Sequence, residues 1–199
     1  MSFINHAAKE IICKIAYCGT GLCGKTTNVQ HIYETTQHEG GSQSGRLVPL
    51  STENERTLFF DFLPLSVAEI NGYKARFHLY TIPGQTFYDM SREFILKGVD
   101  GIVFVVDSEF ERMEANLEAF HQLERSLERQ GYDLHQLPVV FQYNKRDLPG
   151  AVPVEELEVT FNPMKRPYFE AIASQGKGVM ETLRKISQMV IDDIRGGKA

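Results

Sequence analysis

The chain has 199 residues, of which 42% are hydrophobic and 24% are charged, and its formal net charge is -5. These values are typical of one globular domain, and we expect a single domain over residues 1–199. The negative charge argues against nucleic acid as the main ligand, and no apolar run is long enough to cross a membrane. The sequence has no signal for secretion, myristoylation or prenylation, and its three cysteines do not suggest a disulfide framework. We therefore expect a cytoplasmic protein without a membrane anchor.

Residues 11–18 read as a short strand, and the segment that follows fits the phosphate-binding pattern G-x-x-x-x-G-K-[ST]. Its glycines let backbone N–H groups approach phosphate oxygens, and Lys25 offers a positive charge to the β- and γ-phosphates. The hydroxyl of Thr26 can bind Mg²⁺. Apolar residues at helical spacing follow, so the dipole of a helix points at the same anion; the alternative is a plain glycine-rich turn. The residues assigned to nucleotide binding are Gly19, Gly21, Leu22, Cys23, Gly24, Lys25, Thr26 and Thr27.

The next part of the chain predicts a flexible loop and an antiparallel pair of strands. Residues 38–45 are rich in glycine and serine, which is typical of a loop. Residues 58–63 and 73–82 have strand character, and the Asn71-Gly72 dipeptide between them is a strong hairpin signal.

The second half of the chain alternates strands with helices. Residues 101–106 and 138–143 are nearly continuous apolar runs, as expected for strands covered on both faces. Apolar residues at helical spacing predict helices over residues 113–127 and 179–194. We therefore expect an α/β fold with a mostly parallel sheet of six to seven strands, one antiparallel strand, and helices on both faces. Ligands of such sheets bind at the carboxyl ends of the strands.

A second candidate motif follows the strand over residues 138–143. A carboxylate at Asp147 could accept both N–H groups on the Watson–Crick edge of guanine, whereas adenine would leave that carboxylate unpaired. Asn144 and Lys145 belong to the same segment. The alternative is that Asn144 and Asp147 only form a turn or cap before a helix.

Together these motifs resemble those of the Ras-like small GTPases. Three longer blocks, residues 55–65, 77–85 and 97–101, are similar to the MglA-type branch of bacterial Ras-like GTPases, which acts in gliding motility and cell polarity. The likeness runs over almost the whole chain and implies a P-loop G domain that binds GTP or GDP with Mg²⁺. The residues that carry the general family pattern outside the phosphate loop are Thr57, Pro83, Gly84, Gln85, Asn144, Lys145, Asp147, Ala171, Ile172, Ala173 and Ser174.

The resemblance implies a catalytic group of Gln85, Arg56 and Lys25. Gln85 would orient the attacking water, and Arg56 would act as an arginine finger in cis. Thr57 would bind Mg²⁺ and the γ-phosphate, so its loop could change order on hydrolysis. The alternatives are an exposed turn amide for Gln85, a solvated charge for Arg56 and an ordinary strand residue for Thr57.

Further binding roles also come from the resemblance. Gly84 would offer its N–H to the γ-phosphate, and Ala173 and Ser174 belong to the closing loop near the base. The chain departs from the Ras-like pattern at Thr81, where an aspartate usually holds Mg²⁺ through water. Asp61 is a candidate substitute, or an outward-facing strand residue.

The resemblance finally implies slow intrinsic hydrolysis that an activating protein stimulates. That partner would be a homodimeric roadblock-type protein, similar to MglB, and the GTP form would recruit polarity or motility effectors in polar clusters. The chain alone is expected to be a monomer. Two other functions stay open: a GTP-binding interaction module with negligible hydrolysis, and a P-loop kinase, although residues 38–45 lack the arginines of a kinase lid.

Overall fold

The computed structural model describes residues 3–39, 47–52, 55–62, 69–70, 72–82 and 89–196. From residue 89 onward, helices and strands alternate, as the sequence predicts for the second half of the chain. No helix in the described ranges is long and apolar enough to cross a membrane. The elements in chain order are β1 (Phe3–Asn5), β2 (Glu10–Cys18), α1 (Lys25–Glu39), β3 (Leu47–Thr52), β4 (Glu55–Phe62), β5 (Glu69–Ile70), β6 (Tyr73–Thr81), α2 (Asp89–Leu96), β7 (Gly101–Asp107), α3 (Met113–Arg129), β8 (Val139–Asn144), α4 (Val154–Phe161), β9 (Tyr168–Glu170) and α5 (Val179–Arg195).

The described strands form one sheet whose main order is β3-β4-β6-β2-β7-β8-β9. Strands β6, β2, β7, β8 and β9 pair in parallel. Strand β4 pairs antiparallel with both β3 and β6, so along this order it runs against the other strands. This confirms the α/β fold with a mostly parallel sheet. The short strands β1 and β5 add antiparallel pairs beside β2 and β6, so the described sheet has nine strands rather than six to seven, and more than one of them runs antiparallel to a neighbour.

Two apolar cores lie on opposite faces of the sheet because successive strand residues point to opposite sides. On one face, Ile15 of β2 and Val103 of β7 share a cluster with side chains of α1 and α5. On the other, Ala16 and Ile102 belong to a cluster with α2, α3 and α4. This arrangement confirms helices on both faces and holds the carboxyl ends of the central strands at one edge.

Several element boundaries differ from the expectations. Helix α1 continues to Glu39, so it takes in the first two residues of the predicted loop; residues 40–45 lie outside the described ranges. Strand β4 begins at Glu55 rather than at residue 58. The sequence reading did not find β1, β3, β5, α2, α4 or β9. Strand β3 contains Pro49, which disfavours a strand interior, and β3 lies at the end of the sheet, where proline is tolerated.

Candidate nucleotide-binding site

The segment between β2 and α1 has the backbone of a tight phosphate-binding loop. Gly19 has φ +137°, and a Cβ there would lie 2.2 Å from the carbonyl oxygen of Val105, so no other residue fits without a shift. The Lys25 side chain is buried, and its Nζ donates to the carbonyl oxygens of Gly19 at 3.0 Å and Thr20 at 2.6 Å. The carbonyl oxygens of the loop therefore hold the ammonium group in place.

The outer part of the same loop is open. A Cβ on Gly21 would meet no atom within 4 Å, and Leu22 is 89% exposed at φ 65°. Thr26 and Thr27 lie in the first turn of α1 and are half-buried. Since the first N–H groups of a helix lack partners within the helix, this turn is suited to an anion.

Asn144 joins the phosphate-binding loop to the candidate base-binding segment. Its Nδ2 donates to the carbonyl oxygen of Cys23 at 2.7 Å, and its Oδ1 accepts from the backbone N–H of Ala173 at 2.9 Å. Asp147 and Ser174 are exposed. The structure thus brings three predicted segments to one edge of the sheet and leaves the carboxylate of Asp147 accessible.

A charged cluster beside the loop was missed by the sequence reading. Asp107 is fully buried at the end of β7, and Lys145 Nζ lies 2.6 Å from its Oδ2. Arg112 Nε lies 3.9 Å from the same oxygen, while its Nη2 donates to the carbonyl oxygen of Gly21 at 2.8 Å and to Thr20 Oγ1 at 3.3 Å. An aspartate directly after a buried strand was a usable signal, because that position faces the ligand edge. No sequence pattern indicated that Arg112 would contact the loop.

The residues expected to act on the γ-phosphate are only partly described. Arg56 and Thr57 lie in β4, paired with Ser51 and Leu50 of β3, and their side chains lie outside the described part of the structure. Because β4 runs antiparallel to β6 and its Phe59 pairs with Tyr80, the earlier residues of β4 extend towards the carboxyl end of β6. The predicted residues Gly84 and Gln85 lie outside the described ranges.

Asp61 does not reach the same edge. It pairs with His78, three residues before the end of β6 at Thr81. At a rise of about 3.3 Å per residue, this is roughly 10 Å back from the carboxyl end of the strand. We therefore assign no role in metal binding to Asp61.

Comparison with known sequences identifies the family. A sequence model of the ADP-ribosylation factor family matches residues 47–190. The chain belongs to this family. It is 57% identical over 197 residues to the mutual gliding-motility protein MglA of Myxococcus xanthus, covering 99% of this chain and all of that protein. It is thus an MglA-type small GTPase. The human ADP-ribosylation factor-like proteins 4A and 4D are 31% and 28% identical, over 61% of this chain and 62% and 63% of their own lengths.

The residues of this small GTPase fit its expected ligands. A Cβ on Gly24 would lie 2.2 Å from Asn144 Nδ2. The side chain of Asn144 therefore packs directly against the backbone of the phosphate-binding loop, and the two loops lie as close together as one nucleotide site requires. Among the described residues no three His, Cys, Asp or Glu side chains group as a metal site. The hydroxyl of Thr26, in the first turn of α1, is an oxygen donor of the kind that Mg²⁺ prefers.

Proposed function

We propose that this chain is a GTPase switch, formed by one G domain over residues 1–199, that binds GTP with Mg²⁺ and slowly hydrolyses it to GDP. The observation that carries the proposal is the double hydrogen bonding of Asn144, to Cys23 of the phosphate-binding loop and to Ala173 of the closing loop. It unites a phosphate-binding loop and a base-binding segment in one site, with Asp147 exposed beside them.

The base end is suited to guanine. The carboxylate of Asp147 accepts the two N–H groups of guanine, and adenine would leave it unpaired. Lys145 belongs to the same segment as Asp147, and the buried carboxylate of Asp107 holds its ammonium group. Ala173, whose N–H donates to Asn144, and Ser174 belong to the closing loop that would lie near the base.

The phosphate end combines backbone N–H groups of residues 19–27 with the ammonium of Lys25, which balances phosphate charge. The hydroxyls of Thr26 and Thr57 would hold Mg²⁺, and the N–H of Gly84 would donate to the γ-phosphate. Mg²⁺ supplies charge neutralisation across the β- and γ-phosphates when it is bound.

Hydrolysis needs a positioned water and positive charge on the transferred group. Gln85 orients the water, and Arg56 supplies a guanidinium from within the same chain. Both require alignment, so intrinsic turnover is slow and an activating protein speeds it. The similarity to MglA supports a role in motility or cell polarity, with polar clusters, effectors of the GTP form and a homodimeric roadblock-type activator similar to MglB.

Single-turnover hydrolysis tests this proposal with GTP and ATP, each with Mg²⁺, before and after addition of a roadblock-type activator. We expect binding and slow hydrolysis of GTP alone, with stimulation that Arg56→Ala and Arg56→Lys both lose by about 10³-fold or more. Equal use of ATP would contradict the guanine assignment. Full stimulation of both variants would contradict the role of Arg56 as an arginine finger.

The same experiment tests a second candidate function, a GTP-binding interaction module. Thr81 is buried where Ras-like proteins carry the aspartate that helps hold Mg²⁺, and this favours a GTP-binding module with negligible hydrolysis. Tight GTP binding without turnover, even with activator, would select that function.

A further inference from the structure

A pair of buried amides lies directly beneath the candidate nucleotide site. Asn28 of α1 and Gln142 of β8 are both fully buried. Asn28 Nδ2 donates to Gln142 Oε1 at 2.8 Å, and Gln142 Nε2 donates back to Asn28 Oδ1 at 2.9 Å. The two side chains therefore form a reciprocal pair that joins the helix after the phosphate-binding loop to the strand before the base-binding segment.

The pair continues at both ends into the loops of the site. Asn28 Nδ2 also donates to the carbonyl oxygen of Gly24, at 3.0 Å. Gln142 Nε2 donates to Thr182 Oγ1 at 3.0 Å, and that hydroxyl donates to the carbonyl oxygen of Gly178 at 2.6 Å. We call Asn28, Gln142 and Thr182 the amide relay; it runs from the phosphate-binding loop to the segment that follows the closing loop.

The amide relay lies in an apolar core, where burying a polar group is energetically unfavourable. Its neighbours Val29, Val140 and Leu183 belong to the apolar core on this face of the sheet. Burying amides among apolar side chains is unfavourable unless every group is paired, and apolar residues of similar size fill such a space without that demand. In the relay, hydrogen bonds pair the buried amides. Hydrogen bonds also restrict the distance and angle between two side chains more tightly than apolar contacts do.

The relay is also close in sequence to the groups that would touch the ligand. Asn28 lies three residues after Lys25, and Gln142 lies two residues before Asn144. A strand and a helix transmit a shift of one residue to its neighbours because their backbones are hydrogen-bonded. A change of spacing between α1 and β8 would therefore alter the distance between the phosphate and base ends of the site.

We propose that the amide relay sets this spacing, so that Asn28, Gln142 and Thr182 are positioning residues for simultaneous binding of both ends of a guanine nucleotide. The inference rests on the proposed guanine-nucleotide binding. When both ends bind at once, each raises the effective concentration of the other, and this advantage falls when their separation is no longer fixed. Loosening the relay therefore speeds nucleotide release and weakens base discrimination.

The test measures release of GDP and of IDP, whose base lacks the 2-amino group that guanine offers to Asp147. The key variant is Asn28→Leu/Gln142→Leu, which removes both amides together so that neither is left unpaired. A second variant, Asn28→Gln/Gln142→Asn, exchanges the amides and keeps the pair. Asn162→Leu is the matched control, because Asn162 is a buried amide bonded to Glu158 and Arg166 on the other face.

We expect the leucine pair to release GDP about tenfold faster and to lower the ratio of IDP to GDP release rates by roughly threefold, a coupling of ordinary size between adjacent groups. The exchanged pair, Asn28→Gln/Gln142→Asn, should restore both the GDP release rate and the ratio of the two release rates. The control should lower the melting temperature and leave both values unchanged.

Wild-type release rates and ratio in the leucine pair would overturn the inference while leaving guanine binding intact. Equal acceleration of GDP and IDP, matched by the control, would also overturn it by assigning the relay to stability alone. If the wild-type chain binds neither nucleotide, the proposed function itself fails, and the inference fails with it.

Discussion

Gly24 shows how one residue can hold two loops in contact. Its φ is +101°, and a Cβ would lie 2.2 Å from Asn144 Nδ2, the atom that donates to Cys23. Substitution at this position therefore has two costs, backbone strain and displacement of the amide.

We expect Gly24→Ala to weaken GDP binding by at least about tenfold, since it breaks the contact of Asn144 with the phosphate-binding loop. Calorimetric titration of GDP measures this effect. Gly150→Ala separates strain from displacement, because Gly150 has φ +81° and no atom within 4 Å of the added Cβ. If both variants bind GDP equally, contact between Gly24 and Asn144 does not matter for binding.

Residues in fixed motifs were the ones that the sequence could identify. Gly19, Lys25 and Asn144 occupy positions that a phosphate loop and a base segment require, and the structure brings them to one edge. Asn28 and Gln142 could not be identified in this way. Each is a single polar residue in an apolar pattern, and only the pairing of α1 with β8 shows that they satisfy each other.

At the scale of elements, a short 3-10 helix over Phe110–Arg112 fastens the phosphate-binding loop to the sheet. Arg112 reaches the carbonyl oxygen of Gly21 and the side chain of Thr20, and it lies 3.9 Å from buried Asp107. This side chain is 34% exposed, so water weakens its ion pair, and its hydrogen bonds carry most of the effect.

We expect Arg112→Gln to speed GDP release by roughly threefold to tenfold, the size of one or two net hydrogen bonds. Stopped-flow release of a fluorescent GDP analogue measures the change. Arg129→Gln is the control, because Arg129 is 62% exposed and its partner Glu93 is 3.7 Å away, outside the site. Identical rates for the two variants would show that Arg112 does not hold the loop.

Periodicity predicted the long central elements and missed the short peripheral ones. Strands β7 and β8 are buried on both faces and mostly apolar, and α3 and α5 repeat apolar residues over several turns. Strand β9 has three residues, and α4 has eight, so neither offers enough repeats to show a period. Their place comes from pairing with β8 and packing on the sheet, which a local pattern does not contain.

At the scale of the whole molecule, both cores contain buried thiols. Cys13 lies in the core with α1 and α5, and Cys18 in the core with α2, α3 and α4. Burial raises the pKa of each thiol from 9.0 to about 12, and the carboxylate of Asp100 adds to the effect at Cys13. Burial also raises the pKa of the Tyr17 hydroxyl. The folded state therefore keeps protons that the unfolded chain loses in alkaline solution.

This difference predicts that the free energy of unfolding falls as pH rises from 9 to 12. In that interval the unfolded chain binds fewer protons, so each thiol lowers stability by roughly 1 kcal/mol per pH unit. Well below pH 9, both states keep the proton and the effect vanishes. Urea unfolding at a series of pH values and constant GDP concentration measures the slope.

Substitution distinguishes the thiols from general alkaline denaturation. Cys13→Ala and Cys18→Ala should each make the decline above pH 9 shallower, even though each loses some packing. Val140→Ala is the matched control, because Val140 is fully buried and has no proton to lose. It should lower stability equally at every pH, so its curve runs parallel to that of the wild type. If the cysteine variants also give parallel curves, protonated thiols are not what stabilises the two cores, and the alkaline decline belongs to other groups such as Tyr17.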